Sequence, residues 1–142
     1  MRCEELMTSE VEILRTRDTV REAARRMRDL DIGFLPICDD AQELAGVLTD
    51  RDIALRVVAE GKSHDGPVEE VMTAEVVTCR TDEEIERAEE LMRTNQKARI
   101  VVLDDAGHVA GVISVADLAQ YEDERRAGEL VADVTHREAE VH

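Results

Sequence analysis

Two heptapeptides carry the residues best suited to chemistry, GVLTDRD at 46–52 and GVISVAD at 111–117. Each places a hydroxyl three positions before an aspartate: Thr49 with Asp52, and Ser114 with Asp117. At a strand-to-helix junction this spacing sets hydroxyl and carboxylate together on the first helical turn. Free backbone N–H groups and the positive end of the helix dipole favour a phosphate there. A carboxylate in that position also accepts both hydrogen bonds of a ribose diol, and the glycine admits close backbone approach. The same pattern is a helix-start signature that satisfies orphan amides, so capping alone is the competing explanation for either copy.

The two heptapeptides belong to a longer duplication. LMTSEV at 6–11 recurs as VMTAEV at 71–76, Met27-Arg28 as Met92-Arg93, DDA at 39–41 as DDA at 104–106, and AGV at 45–47 as AGV at 110–112. Every pair is offset by 65 (71−6, 92−27, 104−39, 110−45) without a gap. Within each copy the apolar spacing changes from helical to strand-like. A helix capped by Asp18 or Thr19 is predicted to run to Leu30 with Val20, Ala23, Ala24 and Met27 on one face. Its counterpart is predicted from Thr81-Asp82, carrying Ile85, Ala88, Leu91 and Met92. The apolar runs 34–38 and 44–48, joined by DDAQE, read as a hairpin, and 100–103 and 109–113 repeat it around DDAGH. Second helices follow over about 50–60 and 115–125.

The predicted fold class is therefore α/β (α+β): tandem repeats of strand, helix, strand, strand, helix. Repeat 1 covers 3–60, GKSHDGP at 61–67 is a linker, repeat 2 covers 68–122, and 123–142 is a charged tail read as a short helix with a frayed end. A unit of about 55 residues is marginal alone. The two are expected to pair their sheets, share one core and leave a pseudo-two-fold cleft for a ligand.

Composition narrows the partners. The formal charge of −16, from 34 acidic and 18 basic residues, repels nucleic-acid phosphates and anionic membranes. One Tyr, one Phe and no Trp remove aromatic stacking on bases. The first residues, acidic rather than apolar, make no signal peptide, and no run could span a bilayer. A cytoplasmic protein is the expectation. Cys3, Cys38 and Cys79 have neither CxxC spacing nor a histidine cluster beside them, so reduced thiols are expected, with Cys38 and Cys79 as small buried hydrophobes and Cys3 near a flexible end. His64, His108, His136 and His142 are scattered over linker, turn and tail, and no metal set is proposed from them. Met7 and Met72 are expected to fill equivalent gaps in the packing. No Ser or Cys has an activating His and acid at a recognisable spacing, and Asp52 and Asp117 are expected in different clefts. An enzyme is not expected.

The paired GVLTDRD and GVISVAD, the MT before each first strand and DIGFLPICDD before the hairpin together resemble the cystathionine β-synthase (CBS) domain pair, or Bateman module, over positions 3–120. The run MRDLDIGFLPICDDAQELAGVLTDRDIALRVVAEG is similar to stand-alone two-repeat bacterial proteins of the hypoxic response type. The resemblance implies a regulatory module, a homodimer, that binds AMP, ATP, S-adenosylmethionine or a related adenosyl effector, with no resident cofactor. Carried over, one site would use Ser114 and Asp117 with Glu10, Glu12 and Ile32 lining it, and the mirror site Thr49 and Asp52 with Glu75, Val77 and Lys97. Arg99 stands where family members often place a phosphate-binding base, and Phe34 takes its place in the first repeat. The Ser114/Asp117/Arg99 site is therefore expected to be the better nucleotide site. Arg51 is a candidate base for the first. Glu10 and Glu12 would repel a phosphate near them. A ligand-free dimeric scaffold that meets a basic protein, and a redox or metal responder using Cys38 or Cys79, are the readings from other classes.

Overall fold

The computed structural model describes residues 1–121 and 130–135. The elements in order are α1 (Cys3–Leu6), β1 (Leu14–Arg15), α2 (Val20–Leu30), β2 (Phe34–Cys38), β3 (Leu44–Thr49), α3 (Asp50–Asp52, continued as a π-helix over Ile53–Val58), a 3₁₀ turn (Val68–Glu70), β4 (Thr78–Arg80), α4 (Ile85–Asn95), β5 (Arg99–Leu103), β6 (Val109–Ser114) and α5 (Val115–Tyr121). The strands form two three-stranded sheets, ordered β1-β2-β3 and β4-β5-β6. In each the first pair is parallel and the second antiparallel. This is the strand, helix, strand, strand, helix order expected of both copies, in a mixed α/β fold.

Local chemistry explains the shared elements. Before α2, the Asp18 carboxylate accepts from Arg15 N at 2.8 Å, and Thr19 caps the helix by accepting from Glu22 N at 3.1 Å. Before α4, Glu83 accepts from Arg80 N at 2.8 Å in the equivalent turn. That turn occupies Thr81-Asp82, so α4 starts at Ile85 and not at Thr81 as expected. Both helices end on a left-handed residue, Asp31 and Gln96. On α2 the buried positions are Val20, Ala23 and Met27, whereas Ala24 faces solvent, contrary to expectation. In each hairpin turn an aspartate side chain accepts two backbone amides, Asp39 from Ala41 and Glu43, and Asp104 from Ala106 and His108. The turn needs a positive φ, met by Gly107 in one copy and by Gln42, at φ 64°, in the other.

The compact units are not the two sequence repeats. One unit comprises 1–11 with 77–142, and the other 12–76. The leading MT segment of each repeat pairs with the last strand of the other repeat's sheet. Thr8 and Val112 exchange backbone bonds of 2.9 and 3.1 Å, and Thr73 and Val47 exchange two of 2.9 Å. These bridges explain the glycine of each heptapeptide. A Cβ at Gly111 would lie 2.6 Å from Thr8 O and 2.7 Å from Met7 Sδ, and one at Gly46 would lie 2.7 Å from both Thr73 O and Met72 Sδ. Met7 and Met72 thus occupy equivalent places, each thioether against a strand glycine.

The single shared core expected from the sequence is instead two clusters, one in each unit. The first includes Cys3, Cys79, Ile85, Met92, Ile100, Ile113 and Leu118, and the second Leu14, Val20, Met27, Leu35, Ile37, Leu48 and Val68. Exchange of the leading segments accompanies this, since each small sheet is bridged at its last strand by chain from the other repeat. The backbone of GKSHDGP is held against α2: Val20 N donates to Gly66 O at 3.0 Å and Arg21 N to His64 O at 2.8 Å. In the tail, residues 130–135 are helical, Leu130 and Val134 join the first core cluster, and Asp133 binds Arg93 Nε at 3.0 Å. Apolar residues four apart on one helical face account for the docking. The remainder of the expected tail, and with it His136 and His142, lies outside the described residues.

Candidate functional site

Both hydroxyl–aspartate pairs sit where the sequence placed them, at the junction of a last strand and the helix after it. Each forms a reciprocal capping box. Ser114 Oγ accepts from Asp117 N at 3.1 Å while Asp117 Oδ2 accepts from Ser114 N at 2.9 Å. Thr49 Oγ1 accepts from Asp52 N at 3.1 Å while Asp52 Oδ2 accepts from Thr49 N at 3.0 Å. Capping is therefore part of what the motif does in both copies. A hydroxyl that accepts from a backbone N–H still has its own proton to donate, so a cap does not exhaust the pair.

The surroundings differ. Asp52 is 9% exposed, and its carboxylate also receives the Thr73 hydroxyl at 3.3 and 3.4 Å, with Arg56 Nε at 3.9 Å. Arg56 is fixed in turn by donating to Val71 O and Met72 O at 3.2 and 2.9 Å. Thr73 reaches Asp52 because its backbone bridges Val47. Asp117 is half-buried, and among the described residues its carboxylate receives only the Ser114 amide. Among those residues, Oδ1 receives no hydrogen bond.

A cation stands beside the open pair. In the β5–β6 register Arg99 lies directly opposite Ser114, and in the β2–β3 register Phe34 lies opposite Thr49. Directly opposed residues bring their Cβ atoms to about 5 Å. Arg99 is exposed and makes no ion pair or side-chain hydrogen bond among the described residues. Ser114 Oγ, Asp117 and the Arg99 guanidinium thus form a donor, acceptor and cation at one strand end. At the other pair, α3 gives one α-turn before π geometry begins, marked by the Ala59 N to Ala54 O bond at 2.9 Å.

The remaining sequence candidates divide between the units. Val77, Lys97 and Glu10 belong to the unit of Ser114, Asp117 and Arg99, and Glu12, Ile32 and Glu75 to that of Thr49 and Asp52. Val77 packs on the first core cluster and its carbonyl accepts from Val101 N at 3.3 Å. Lys97, Ile32, Glu10 and Glu75 are exposed. Glu12 is engaged with Arg26 at 3.5 Å, and Arg26 is held by the Ile13 carbonyl at 3.1 Å.

Sequence reasoning missed two features. Thr73, which occupies Asp52, lies in the VMTAEV copy, and only its repeat relation to Thr8 marked it. Cys3 is fully buried rather than flexible, with its Sγ 3.7 Å from that of Cys79. Its helix is anchored by Cys3 N to Glu83 O at 2.8 Å and Glu4 N to Thr81 O at 3.1 Å. Cys38 is buried, and burial pushes its thiol above the ordinary value of 9.0. No group of three or more His, Cys, Asp or Glu residues among the described residues could hold a metal ion. No helix among them is long and apolar enough to cross a membrane.

Comparison with known proteins agrees with this architecture. The CBS domain family model matches twice, at 3–59 and 68–124. The CBS domain-containing protein YhcV of Bacillus subtilis is 33% identical over 132 residues, 92% of this chain and 93% of that one. Among solved structures, Hypoxic Response Protein I with two coordinated zinc ions superposes with a TM-score of 0.78 at 28% identity, covering 87% of this chain and all of that one. CBS domain protein PAE2072 of Pyrobaculum aerophilum complexed with AMP gives 0.78 at 26%, covering 93% and 99%. The CBS domain pair of MJ0100 in complex with 5′-methylthioadenosine and S-adenosyl-L-methionine gives 0.75 at 26%, covering 84% and 98%. With two family matches over most of its length and a fold of two β-α-β-β-α copies to go with them, this chain belongs to the CBS domain family.

Proposed function

We propose that this chain is a non-enzymatic regulatory module that binds an adenosine-containing effector of the AMP, ATP or S-adenosylmethionine class, and that its principal site is Ser114, Asp117 and Arg99. One observation carries the choice of site. Among the described residues, Arg99, in register with Ser114, makes no ion pair and Asp117 Oδ1 receives no hydrogen bond, whereas Phe34 and an Asp52 engaged by Thr73 occupy the matching positions. Asp117 Oδ1 accepts the ribose hydroxyls, the Ser114 hydroxyl donates to a phosphate oxygen, and Arg99 supplies the positive charge that a chain of net charge −16 otherwise withholds. Support for the ligand class comes from the AMP complex of PAE2072 and the adenosyl complexes of MJ0100. The lining role of Glu10, a second site at Thr49 and Asp52 with Glu75, and the cytoplasmic homodimer belong to the same proposal.

Isothermal titration with AMP, ADP, ATP, NAD and S-adenosylmethionine tests it. The expected outcome is one dominant site, weakened about 10–100-fold by Arg99→Ala or Asp117→Ala. For a phosphate-bearing ligand, affinity should also fall with salt. Binding that survives both substitutions would remove the site assignment. The reciprocal capping boxes favour a second reading, a ligand-free interaction scaffold. In that case Asp117→Ala lowers the melting temperature and no adenosyl ligand raises it.

A further inference from the structure

We propose that Cys3 and Cys79 are a reversible disulfide site that fastens the leading segment 1–11 to β4, with a hydroperoxide as the oxidant. The two sulfurs lie 3.7 Å apart, the Cys79 thiol donating to Cys3 Sγ, and both side chains are buried in one core cluster. Small side-chain rotations bring sulfurs from that separation to the roughly 2.0 Å of a disulfide bond. The cysteines have no repeat partners of their own kind: position 68, equivalent to Cys3, is Val68, and position 14, equivalent to Cys79, is Leu14. Valine and leucine fill those places in the other cluster, so packing alone does not demand sulfur.

The chemistry is supported by the hydrogen bond between the thiols. It lowers the Cys3 thiol below its ordinary 9.0, and together with burial it raises Cys79. Cys3 is then the first nucleophile. Its thiolate attacks a peroxide oxygen, the O–O bond breaks, and hydroxide leaves to take up a proton as water. Cys3 is oxidised to the sulfenic acid. The Cys79 sulfur attacks that sulfur, the S–S bond forms, and the hydroxyl departs as water with the Cys79 proton. Two thiols and one hydrogen peroxide give one disulfide and two waters, and a dithiol reductant reverses the step by becoming a disulfide itself. Reagent reaches the pair by opening of α1, a helix of only 4 residues.

The bond would act on the strand that carries Ser114. It closes a loop across 76 positions and fixes the segment whose Thr8 bridges Val112 on β6. Such a closure restricts the unfolded chain more than a short one.

The full chain tests this directly. It is treated with hydrogen peroxide or dithiothreitol, blocked with iodoacetamide in denaturant, and digested with trypsin without reductant. Peptides 3–15 and 63–80 should appear joined after peroxide, while peptide 29–51 carries alkylated Cys38. Melting temperature should rise by about 5–10 °C on oxidation, and the Thr8 and Val112 amides should exchange about tenfold more slowly. Cys38→Ser should leave all three results intact, and Cys79→Ala should abolish the joined peptide and the rise. A linkage through Cys38, a covalent dimer, or Cys3 and Cys79 both recovered alkylated or over-oxidised would overturn the proposal. If Cys79→Ala does not fold, the peptide map of the unaltered chain decides alone.

Discussion

The two heptapeptides were duplicated with their strands, turns and caps, yet they have come to different ends. At Thr49/Asp52 the carboxylate is closed off by Thr73 and Arg56, and the residue across the strand pair is Phe34. At Ser114/Asp117, among the described residues, the carboxylate receives only the Ser114 amide, and the residue across the pair is Arg99. Both acids cap a helix, and among the described residues only Asp52 is held by further side chains. A shared motif therefore fixes where an acid is placed, and its neighbours decide whether that acid can serve a ligand.

The comparison can be broken most severely where the copies are alike. Gly46→Val and Gly111→Val should each cost about 3 kcal/mol, because the added carbons meet a backbone carbonyl that cannot withdraw without breaking its bridge. Chemical denaturation should show near-equal losses, and tolerance of either change would refute the close approach. Next come the aspartates. Asp52→Ala should cost about 2 kcal/mol, since it leaves the half-buried Thr73 hydroxyl and Thr49 amide without their acceptor. Asp117→Ala should cost about 1 kcal/mol, the value of a cap. Equal losses would erase the distinction between a structural acid and an available one.

A smaller effect sharpens the electrostatic side. Phe34→Arg gives the first copy the base of the second, and should raise AMP affinity there by about 3–10-fold at low salt, fading as salt is added. No gain at any salt would mean that Asp52 is too well occupied for the added charge to matter. The smallest effect concerns the hairpin turns. Gln42→Gly installs the residue that the equivalent turn already has as Gly107. It should stabilise by about 0.5 kcal/mol, the relief of left-handed backbone less the added freedom of the unfolded chain. A thermal shift that goes downward would contradict it.

Much of this was legible in the sequence because it is local. Hydrophobic spacing placed α2 and both hairpins, aspartates placed the turns, and Ser/Thr with Asp three residues on placed the capping boxes. The start of α4 was misjudged because Thr81 and Asp82 look like caps, while Glu83 already makes the preceding turn and Glu84 takes the cap position. Residues 130–135 lie in the segment read as a short helix with a frayed end, but its docking was not legible, because the burial of Leu130 and Val134 depends on a face they find only in the folded unit.

The sequence by itself determined that there are two copies, what elements each contains, and where each hydroxyl and acid falls along them, since these follow from spacing of a few residues. Only the tertiary structure decided that segment 1–11 joins the second sheet and Thr73 the first, that Asp52 is consumed while Asp117 is not, and that Cys3 meets Cys79 across 76 positions. Those outcomes depend on hydrogen bonds and packing between distant parts of the chain, which no short-range pattern encodes.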